Sequence, residues 1–230
     1  MQMISTLELR PYQQECVTNV LKRFEEDPVA SVNMFCGLGK TRVIVQVLNS
    51  HSGLKMVVFP TLQLVQQFIN DYKQFVTSDT QVCCTENHES VKGLKIHHSD
   101  VTTTENTLIC TTYHSLPMVL QNDIDVSITV YDESHRTGSP TVSATIEENS
   151  HKIKKSLYIS ATPPETHEIC FRMSHHDGLN TIDPNTGMPV CADISLHLLL
   201  KEAHNDHEFL TQIAEVAEQT GNRRILAYST

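Results

Sequence analysis

The sequence predicts an α/β domain in which a mostly parallel sheet is covered by helices on both faces. Short, nearly continuous apolar segments alternate with helical patterns, which is typical of strands buried on both sides. Between the first apolar segment and the next helical pattern lies a glycine-rich turn, Cys36–Thr41, the context of a phosphate-binding loop. Because the carboxyl ends of parallel strands meet at one edge, the polar motifs that follow the strands can share that edge. These motifs begin at Gly37, Pro60, Thr111, Asp132 and Ser160.

Length and charge limit the classes of protein to consider. The 230 residues suffice for one large domain, or for one domain and part of another. The formal net charge of −10 argues against a passive basic protein that coats nucleic acid. It does not exclude nucleic-acid binding, because backbone N–H groups and Ser or Thr hydroxyls can also hold phosphates.

Neither a membrane span nor a secretion signal is predicted. No apolar run approaches the ~20 residues needed to cross a bilayer, and Met1–Pro11 lacks the basic-then-apolar layout of a signal peptide. The seven cysteines are odd in number and include no C-x-x-C pair, which fits a reducing compartment. We therefore expect an intracellular protein, cytoplasmic or nuclear, with no membrane partner.

The first helix is predicted to open at Leu9–Gln14, because Pro11 suits a first helical turn, and to end before Pro28. Its predicted buried face recurs near helical spacing and consists of Tyr12, Cys16, Val20 and Phe24. The next elements are a strand over Val29–Phe35, a helix over Arg42–Leu48, a strand over Lys55–Phe59 and a helix over Leu62–Val76. In the last of these, Leu64, Val65, Phe68 and Tyr72 are expected to lie on one side.

The middle of the chain continues the alternation of strands and helices. The predicted strands are a weak one over Gln81–Cys84 and clearer ones over Leu108–Thr111, Ile128–Tyr131 and Ser156–Ile159. Between them lie a polar loop over Glu86–Glu105, a short helix from His114, a turn over Thr137–Pro140 and a helix over Thr141–Glu148.

The pattern weakens from Glu165 onward. Turn signals such as Asp177-Gly178 and Asp183-Pro184 predict a long irregular connector. A helix from about Asp206 to Glu218 and a strand over Arg224–Tyr228 then resemble the start of a second domain. The predicted division is therefore a first domain over 1–165, a connector over 166–205 and the start of a second domain over 206–230.

The turn at Cys36–Thr41 has the chemistry of a phosphate site. Glycines let consecutive backbone N–H groups converge on phosphate oxygens, and the following helix adds positive charge at its N-terminus. Lys40 can reach the terminal phosphates, and the Thr41 hydroxyl can hold Mg²⁺. The full pattern has a small residue where Met34 stands, so an ordinary strand-to-helix turn remains an alternative.

An acid pair, Asp132-Glu133, follows another apolar strand. The Asp132 carboxylate can hold the Mg²⁺ that bridges two phosphates, and Glu133 can orient or deprotonate the attacking water. Two solvated acids at a strand end are the alternative. The phosphate-loop pattern earlier in the chain favours the catalytic interpretation.

Together these motifs resemble the superfamily 2 helicases and translocases of the DExH class. The resemblance is carried by Leu9–Gln13 as a Q motif, Cys36–Thr41 as motif I and the residues DESH, Asp132–His135, as motif II. It implies a RecA-like P-loop NTPase domain with ATP and Mg²⁺ as cofactors. The nucleotide-binding positions that it implies are Arg10, Gln13, Cys36, Gly37, Leu38, Gly39, Lys40, Thr41 and Arg42, with Gln13 at the adenine.

The resemblance also implies a coupling element and a nucleic-acid contact. His135 of motif II would link the nucleotide site to motif III, Ser160-Ala161-Thr162, although such a histidine alone is more often a surface residue. Pro60-Thr61 in motif Ia and Thr111-Thr112 in motif Ib would contact a nucleic-acid backbone. Without the resemblance, Pro60-Thr61 is simply the start of a helix.

The family pattern is incomplete in these residues. Arg224–Thr230 resembles motif IV, which opens a second RecA-like lobe, but motifs V and VI are not found, nor the arginine finger that they include. Such a finger contributes ~10³ to 10⁵ in turnover. We therefore expect these 230 residues to bind ATP but to hydrolyse it slowly, and to need the missing second lobe as a partner.

Other functions remain open. A nucleotide-dependent binding module for nucleic acid, with little or no turnover, would use the same residues. A different P-loop class, such as a nucleotide kinase, would have no use for motifs Ia, Ib and III. The opening LRPYQ and the segment TTYHSL are closer to DNA repair translocases, restriction motor subunits and viral helicases than to spliceosomal RNA helicases. DNA is therefore the expected nucleic-acid partner.

Overall fold

Seven strands form one parallel sheet in the computed structural model of the protein, which describes residues 7–83, 106–164 and 166–191. The strands are β1 (Val29–Met34), β2 (Leu54–Phe59), β3 (Asp79–Cys83), β4 (Thr107–Thr112), β5 (Val126–Asp132), β6 (Ser156–Ser160) and β7 (Ile169–Met173). Their order across the sheet is β3-β4-β2-β5-β6-β1-β7, and the paired strands are parallel. The predicted parallel α/β architecture is confirmed.

Helices cover both faces of this sheet. They are α1 (Pro11–Glu26), α2 (Lys40–Asn49), α3 (Leu62–Tyr72), α4 (Leu116–Leu120), α5 (Pro140–Glu148) and α6 (His175–Asn180). Side chains of β2 alternate between two apolar clusters. Val57 and Phe59 pack in the cluster that contains residues of α1, α2 and α3, whereas Met56 and Val58 pack in the cluster on the side of α4 and α5. Burial on both sides explains why this strand reads as a continuous apolar segment.

Local sequence signals start several helices where they were expected. Pro11 is the first residue of α1, and the Gln13 side chain caps the helix, since its Oε1 accepts from Arg10 N at 3.0 Å. The Thr61 hydroxyl accepts a hydrogen bond from Leu64 N at the start of α3. The four predicted apolar residues of α1 are all buried. None of the helices in the described ranges has the length and apolar composition needed to cross a membrane.

Some predicted boundaries are wrong by a few residues. The helix predicted over Leu62–Val76 ends at Tyr72, and a short 3₁₀ turn follows. The helix predicted from His114 begins at Leu116, and Ser115 occupies its N-cap position. The turn predicted over Thr137–Pro140 is a 3₁₀ turn over Ser134–Gly138 that leads directly into α5. Helix ends depend on neighbouring contacts more than on periodicity, which explains these shifts.

The predicted irregular connector contains a strand. Ile169–Met173 pairs in parallel with β1 at one edge of the sheet and buries Phe171 and Met173, and the short helix α6 follows. Five residues that include the exposed Arg172 give a weak sequence signal, because an edge strand is stabilised by its neighbour rather than by its own pattern.

The compact unit that contains the sheet extends to Cys191. The division of the chain at residues 165 and 205 therefore stays a prediction, as does the start of a second domain at 206. The elements predicted over Glu86–Glu105, Asp206–Glu218 and Arg224–Tyr228 lie outside the described residues.

A buried cation lies near the amino end of β2. Lys55 is 1% exposed, and its Nζ donates to Ser78 Oγ at 2.7 Å. The Ser78 hydroxyl donates in turn to Asn106 Oδ1 at 3.1 Å. Burial lowers the pKa of Lys55 from its ordinary value, because the charged form loses hydration. This charge therefore reduces the stability of the fold at neutral pH.

Replacement of Lys55 by Met should raise the free energy of unfolding at pH 7 by about 1 kcal/mol, since it removes a buried charge and keeps the volume. The pKa of Lys55 is lower in the folded protein than in the unfolded chain. Between these two pKa values the unfolded chain binds more protons, so the stability of the parent increases as the pH rises through that range. The advantage of Lys55→Met should therefore shrink as the pH rises toward 10.5.

Urea unfolding at several pH values measures this difference. Lys154→Met is the matched control, because Lys154 is 64% exposed in its surface pair with Asp125. A Lys55→Met variant less stable than the parent at pH 7 would mean that the hydrogen bond to Ser78 outweighs the cost of burial.

Candidate active site

The phosphate-loop residues Phe35–Gly39 connect β1 to α2 at the carboxyl edge of the sheet. Gly37 and Gly39 adopt left-handed backbone conformations with φ of 83° and 79°. A side chain at either position would be strained, so the turn depends on glycine. The loop ends directly at Lys40, the first residue of α2, and so at the positive end of that helix.

The carbonyl of Leu38 holds the loop to α1. Tyr12 Oη donates to it at 2.9 Å and Gln13 Nε2 at 2.8 Å. Gln13 is 1% exposed, and its Oε1 accepts from Arg10 N at 3.0 Å. A Cβ at Gly39 would lie 2.5 Å from Gln13 Nε2, so the amide fits only because that position is glycine. The predicted adenine-contacting glutamine is thus already part of the loop's support.

The acid pair meets the phosphate loop although one strand, β6, lies between β5 and β1 in the sheet. Asp132 is the last residue of β5, and Glu133 follows in a left-handed conformation with φ of 49°. Lys40 Nζ lies 2.8 Å from Glu133 Oε1. A non-glycine residue in this conformation is uncommon and strained, and here it turns the Glu133 carboxylate toward Lys40. The structure therefore brings together two predicted catalytic residues that are 93 positions apart.

The second carboxylate oxygen of Glu133 leads to motif III. Ser160 Oγ donates to Glu133 Oε2 at 3.2 Å and accepts from Thr162 N at 3.1 Å. His135 Nδ1 lies 3.1 Å from the same hydroxyl oxygen. Since the Ser160 proton is directed to Glu133, His135 Nδ1 is the donor in that contact and carries a proton. Ser160 thus connects Glu133, His135 and Thr162.

The Asp132 carboxylate lies in a less hydrated setting than an ordinary surface acid. Burial, reinforced by the negative charge of Glu133, raises the pKa of Asp132 to about 6, while Lys40 acts in the opposite direction. Tyr113 Oη donates to the backbone carbonyl of Asp132 at 2.9 Å and so fixes the end of β5. A nearby cation would favour the ionised form of this carboxylate.

The oxygen donors at this edge fit Mg²⁺. Thr41, in the first turn of α2, offers a hydroxyl, and Asp132 offers a carboxylate. Mg²⁺ prefers hard oxygen ligands and commonly takes only one or two from the protein, with phosphates and water supplying the rest. The described ranges contain no cluster of three His, Cys, Asp or Glu side chains that could hold a metal alone, so this site would need the phosphates.

The residues predicted to contact nucleic acid differ in accessibility. Thr61 is exposed at the start of α3 and Pro60 is half-buried beside it. Thr111 is fully buried, and its hydroxyl donates to Cys83 O at 2.6 Å. Thr112 is nearly buried as well, and its Oγ1 donates to a neighbouring serine hydroxyl at 3.2 Å. The structure therefore leaves the Thr61 region open and turns the two other threonine hydroxyls inward.

The remaining predicted nucleotide residues lie around the loop. Cys36 and Gly37 are exposed at its tip, and Arg42 Nη1 donates to Glu8 O at 2.7 Å. Ala161 is half-buried and Thr162 exposed at the end of β6.

Three residues of this site were missed by the sequence analysis. Tyr12 was predicted only as a core residue and Asp183 only as part of a turn, and Tyr113 was given no role beyond its place in the segment TTYHSL. Asp183 Oδ2 in fact lies 2.9 Å from Arg10 Nε. A tyrosine in an apolar helical face that is followed by glutamine is the one signal that could have been used, because a buried hydroxyl needs a partner. No local signal marks the Arg10–Asp183 pair.

The chain matches one protein family over most of its length. Residues 6–165 match the family described as the res subunit of type III restriction enzymes. No curated protein sequence matches the chain.

Solved structures share the fold at low identity. A nuclease-deletion mutant of the type ISP restriction-modification enzyme LlaGI, in complex with a DNA substrate mimic, is 18% identical with a TM-score of 0.61, covering 73% of this chain and 20% of that one. The ATP-dependent type ISP enzyme LlaBIII bound to DNA is 18% identical with a TM-score of 0.62, over 76% and 16%. The UvsW helicase of bacteriophage T4 is 14% identical with a TM-score of 0.51, over 69% and 54%.

These similarities establish a RecA-like α/β fold. The chain spans only 20% and 16% of the lengths of the two restriction enzymes, so their activities as whole proteins do not transfer directly.

The two loop glycines should tolerate alanine differently. Gly37→Ala should cost about 1–2 kcal/mol of stability, because its Cβ meets open space and only the left-handed backbone is penalised. Gly39→Ala should cost about 1 kcal/mol more, since its Cβ displaces Gln13 and breaks the bond to the Leu38 carbonyl. Chemical unfolding of both variants checks the difference, and equal costs would show that the Gln13 bond does not stabilise the loop.

Proposed function

The chain belongs to the family of the type III restriction enzyme res subunit, with the ATP-binding RecA-like lobe of superfamily 2 helicases, and we propose that it powers movement along DNA by ATP hydrolysis. In this proposal the lobe is of the DExH type and works with a second RecA-like lobe. The observation that supports it most is the 2.8 Å contact of Lys40 with Glu133, which joins the phosphate loop to the acid pair.

ATP binds with its phosphates at the loop. The start of α2 and the Lys40 ammonium form a positive site into which phosphate oxygens fit. Glu133 is the anion that lies beside the Lys40 ammonium. A triphosphate competes with Glu133 for Lys40, and the released carboxylate then faces the terminal phosphate. Gln13 is the proposed contact of the base, and its amide also accepts from Arg10 N and donates to Leu38 O.

Thr41 and Asp132 would hold Mg²⁺ together with the phosphates. When bound, the ion neutralises charge that develops on the phosphate oxygens. At neutral pH the Asp132 carboxylate is mostly ionised despite its raised pKa of about 6, so it is competent as a ligand.

Glu133 acts as the base or orienting group for the attacking water. Ser160 donates a hydrogen bond to it, and His135 lies close to both. These contacts hold the Glu133 carboxylate once Lys40 has left it for the phosphates. They also connect the reacting centre to motif III, because a movement of the Glu133 carboxylate would shift the Ser160 hydroxyl that is bonded to it.

DNA is the nucleic acid along which the protein is proposed to move. The exposed Thr61 and the backbone near Pro60 offer the hydroxyl and N–H groups that bind phosphates without a basic surface. The two restriction enzymes that share the fold are both described in complex with DNA or a DNA mimic, which favours DNA over RNA.

ATP hydrolysis by the complete gene product, measured with single-stranded DNA, duplex DNA and RNA, tests this function. Stimulation by DNA is the expected result. Nucleotide-dependent binding without stimulated turnover would favour a non-motor binding module instead. A polypeptide of these 230 residues alone should hydrolyse ATP slowly, because no arginine finger is found in them.

Lys40→Ala should abolish detectable ATP binding, because the charge at the terminal phosphates is lost and Glu133 is left to repel them. Isothermal titration calorimetry with Mg²⁺ and ATP measures the loss. The matched control is Lys154→Ala, which removes an equally charged residue from an exposed pair and should bind ATP like the parent. Parent-like affinity in Lys40→Ala would contradict the proposed phosphate site.

Glu133→Gln should stop hydrolysis while ATP binds at least as tightly as in the parent. The amide keeps the shape but no longer competes for Lys40 or repels the phosphates. Calorimetry and steady-state turnover of the complete protein separate the two effects, with Asp125→Asn as the surface control. Parent-like turnover in Glu133→Gln would show that another group activates the water.

A further inference from the structure

The segment after β7, Ser174–Cys191, packs against the phosphate loop. Near its start, the backbone N–H of Phe35 donates to the carbonyl of the last residue of β7 at 3.0 Å. At its end, Cys191 N donates to Gly178 O at 3.1 Å, and a Cβ at Gly178 would lie 2.5 Å from Cys191 Sγ and 3.2 Å from Leu38 Cδ2. The segment is therefore a closely packed neighbour of the loop rather than a loose connection.

A buried carboxylate lies within this segment. Asp183 is 4% exposed, and its Oδ2 lies 2.9 Å from Arg10 Nε. Its other oxygen, Oδ1, accepts from Asn185 N at 2.9 Å. A buried carboxylate is costly unless a counter-charge is present, so Arg10 is held where Asp183 requires it.

Arg10 in turn reaches the support of the phosphate loop. Its Nη1 donates to Tyr12 Oη at 3.2 Å, and Tyr12 Oη donates to Leu38 O, which Gln13 Nε2 also contacts. The Arg10 side chain remains 34% exposed even though Asp183 and Tyr12 both hold it. A held guanidinium with an open part is therefore linked, through Tyr12 Oη, to the loop carbonyl that Gln13 also contacts.

We propose that Asp183 is a positioning residue for the nucleobase: it fixes the Arg10 guanidinium at the base-binding end of the ATP site. The inference rests on the proposed binding of ATP. An unrestrained arginine samples many rotamers, whereas one held at Nε presents a fixed plane that can stack on a heteroaromatic ring. The ligand that fits such a plane beside an amide and a phosphate loop is the purine base of a nucleoside triphosphate.

Binding of two ligands separates the base from the phosphates. Calorimetry on the full chain and on Asp183→Asn compares Mg²⁺–ATP with Mg²⁺–tripolyphosphate, which lacks a base. The asparagine keeps an oxygen for Asn185 N but loses the charge that holds Arg10. We expect Asp183→Asn to weaken ATP binding by about 3- to 10-fold and to leave tripolyphosphate binding unchanged. Asp125→Asn, an exposed partner of Lys154, is the matched control and should change neither.

A second variant tests whether the effect passes through Arg10. Arg10→Met combined with Asp183→Asn removes both charges, so no buried charge is left alone. It should bind ATP at least as weakly as Asp183→Asn and bind tripolyphosphate like the parent. ATP affinity restored to the parent value in this variant would overturn the inference.

The outcomes also separate this inference from the proposed function. An unchanged ratio of ATP to tripolyphosphate affinity in Asp183→Asn would overturn the role of Asp183 and leave ATP binding intact. Equal weakening of both ligands would likewise assign Asp183 to the support of the loop alone. A parent chain that binds neither ligand would overturn the proposed function itself.

Discussion

The ion pair between Lys40 and Glu133 organises the site. Its partners have side chains only 11% and 25% exposed, so neither charge is fully hydrated and each requires the other. Lys40 also stands at the positive end of α2, where an anion is favoured. The Glu133 carboxylate therefore occupies electrostatically the place proposed for phosphate. In the proposed function a triphosphate takes the place of this carboxylate at Lys40, and the released carboxylate activates water.

A second constraint is the carbonyl of Leu38. Side chains of α1 donate to it, and Gly178 of the segment Ser174–Cys191 lies close to the Leu38 side chain. The glycines in the turn between β1 and α2 allow its backbone conformation but have no side chains with which to stabilise it. Its shape is therefore maintained by residues far away in sequence, and those same residues lie where the base of a nucleotide is proposed to bind.

The architecture was largely predictable because its signals are local. Strands buried on both sides are mostly apolar, and the four residues Met56–Phe59 of β2 show this directly. The glycine pattern identified the phosphate loop, since only glycine accepts the backbone angles found there. The edge strand β7 was not predicted, because a short strand with an exposed arginine depends on the pairing that β1 offers. Local signals also did not reveal that the Thr111 hydroxyl is bonded inside the fold, and the contact of Thr111 with nucleic acid stays a prediction.

The sequence by itself determined the alternation of elements, the phosphate-loop turn and the polar residues at the strand ends. These features depend on the spacing of apolar and polar residues over a few positions, so the sequence alone reveals them. Only the tertiary structure decided that Lys40 pairs with Glu133, that Ser160 supports Glu133 and that Asp183 holds Arg10. These contacts follow from the order of strands across the sheet, which sets distances between side chains and is not specified by any local pattern.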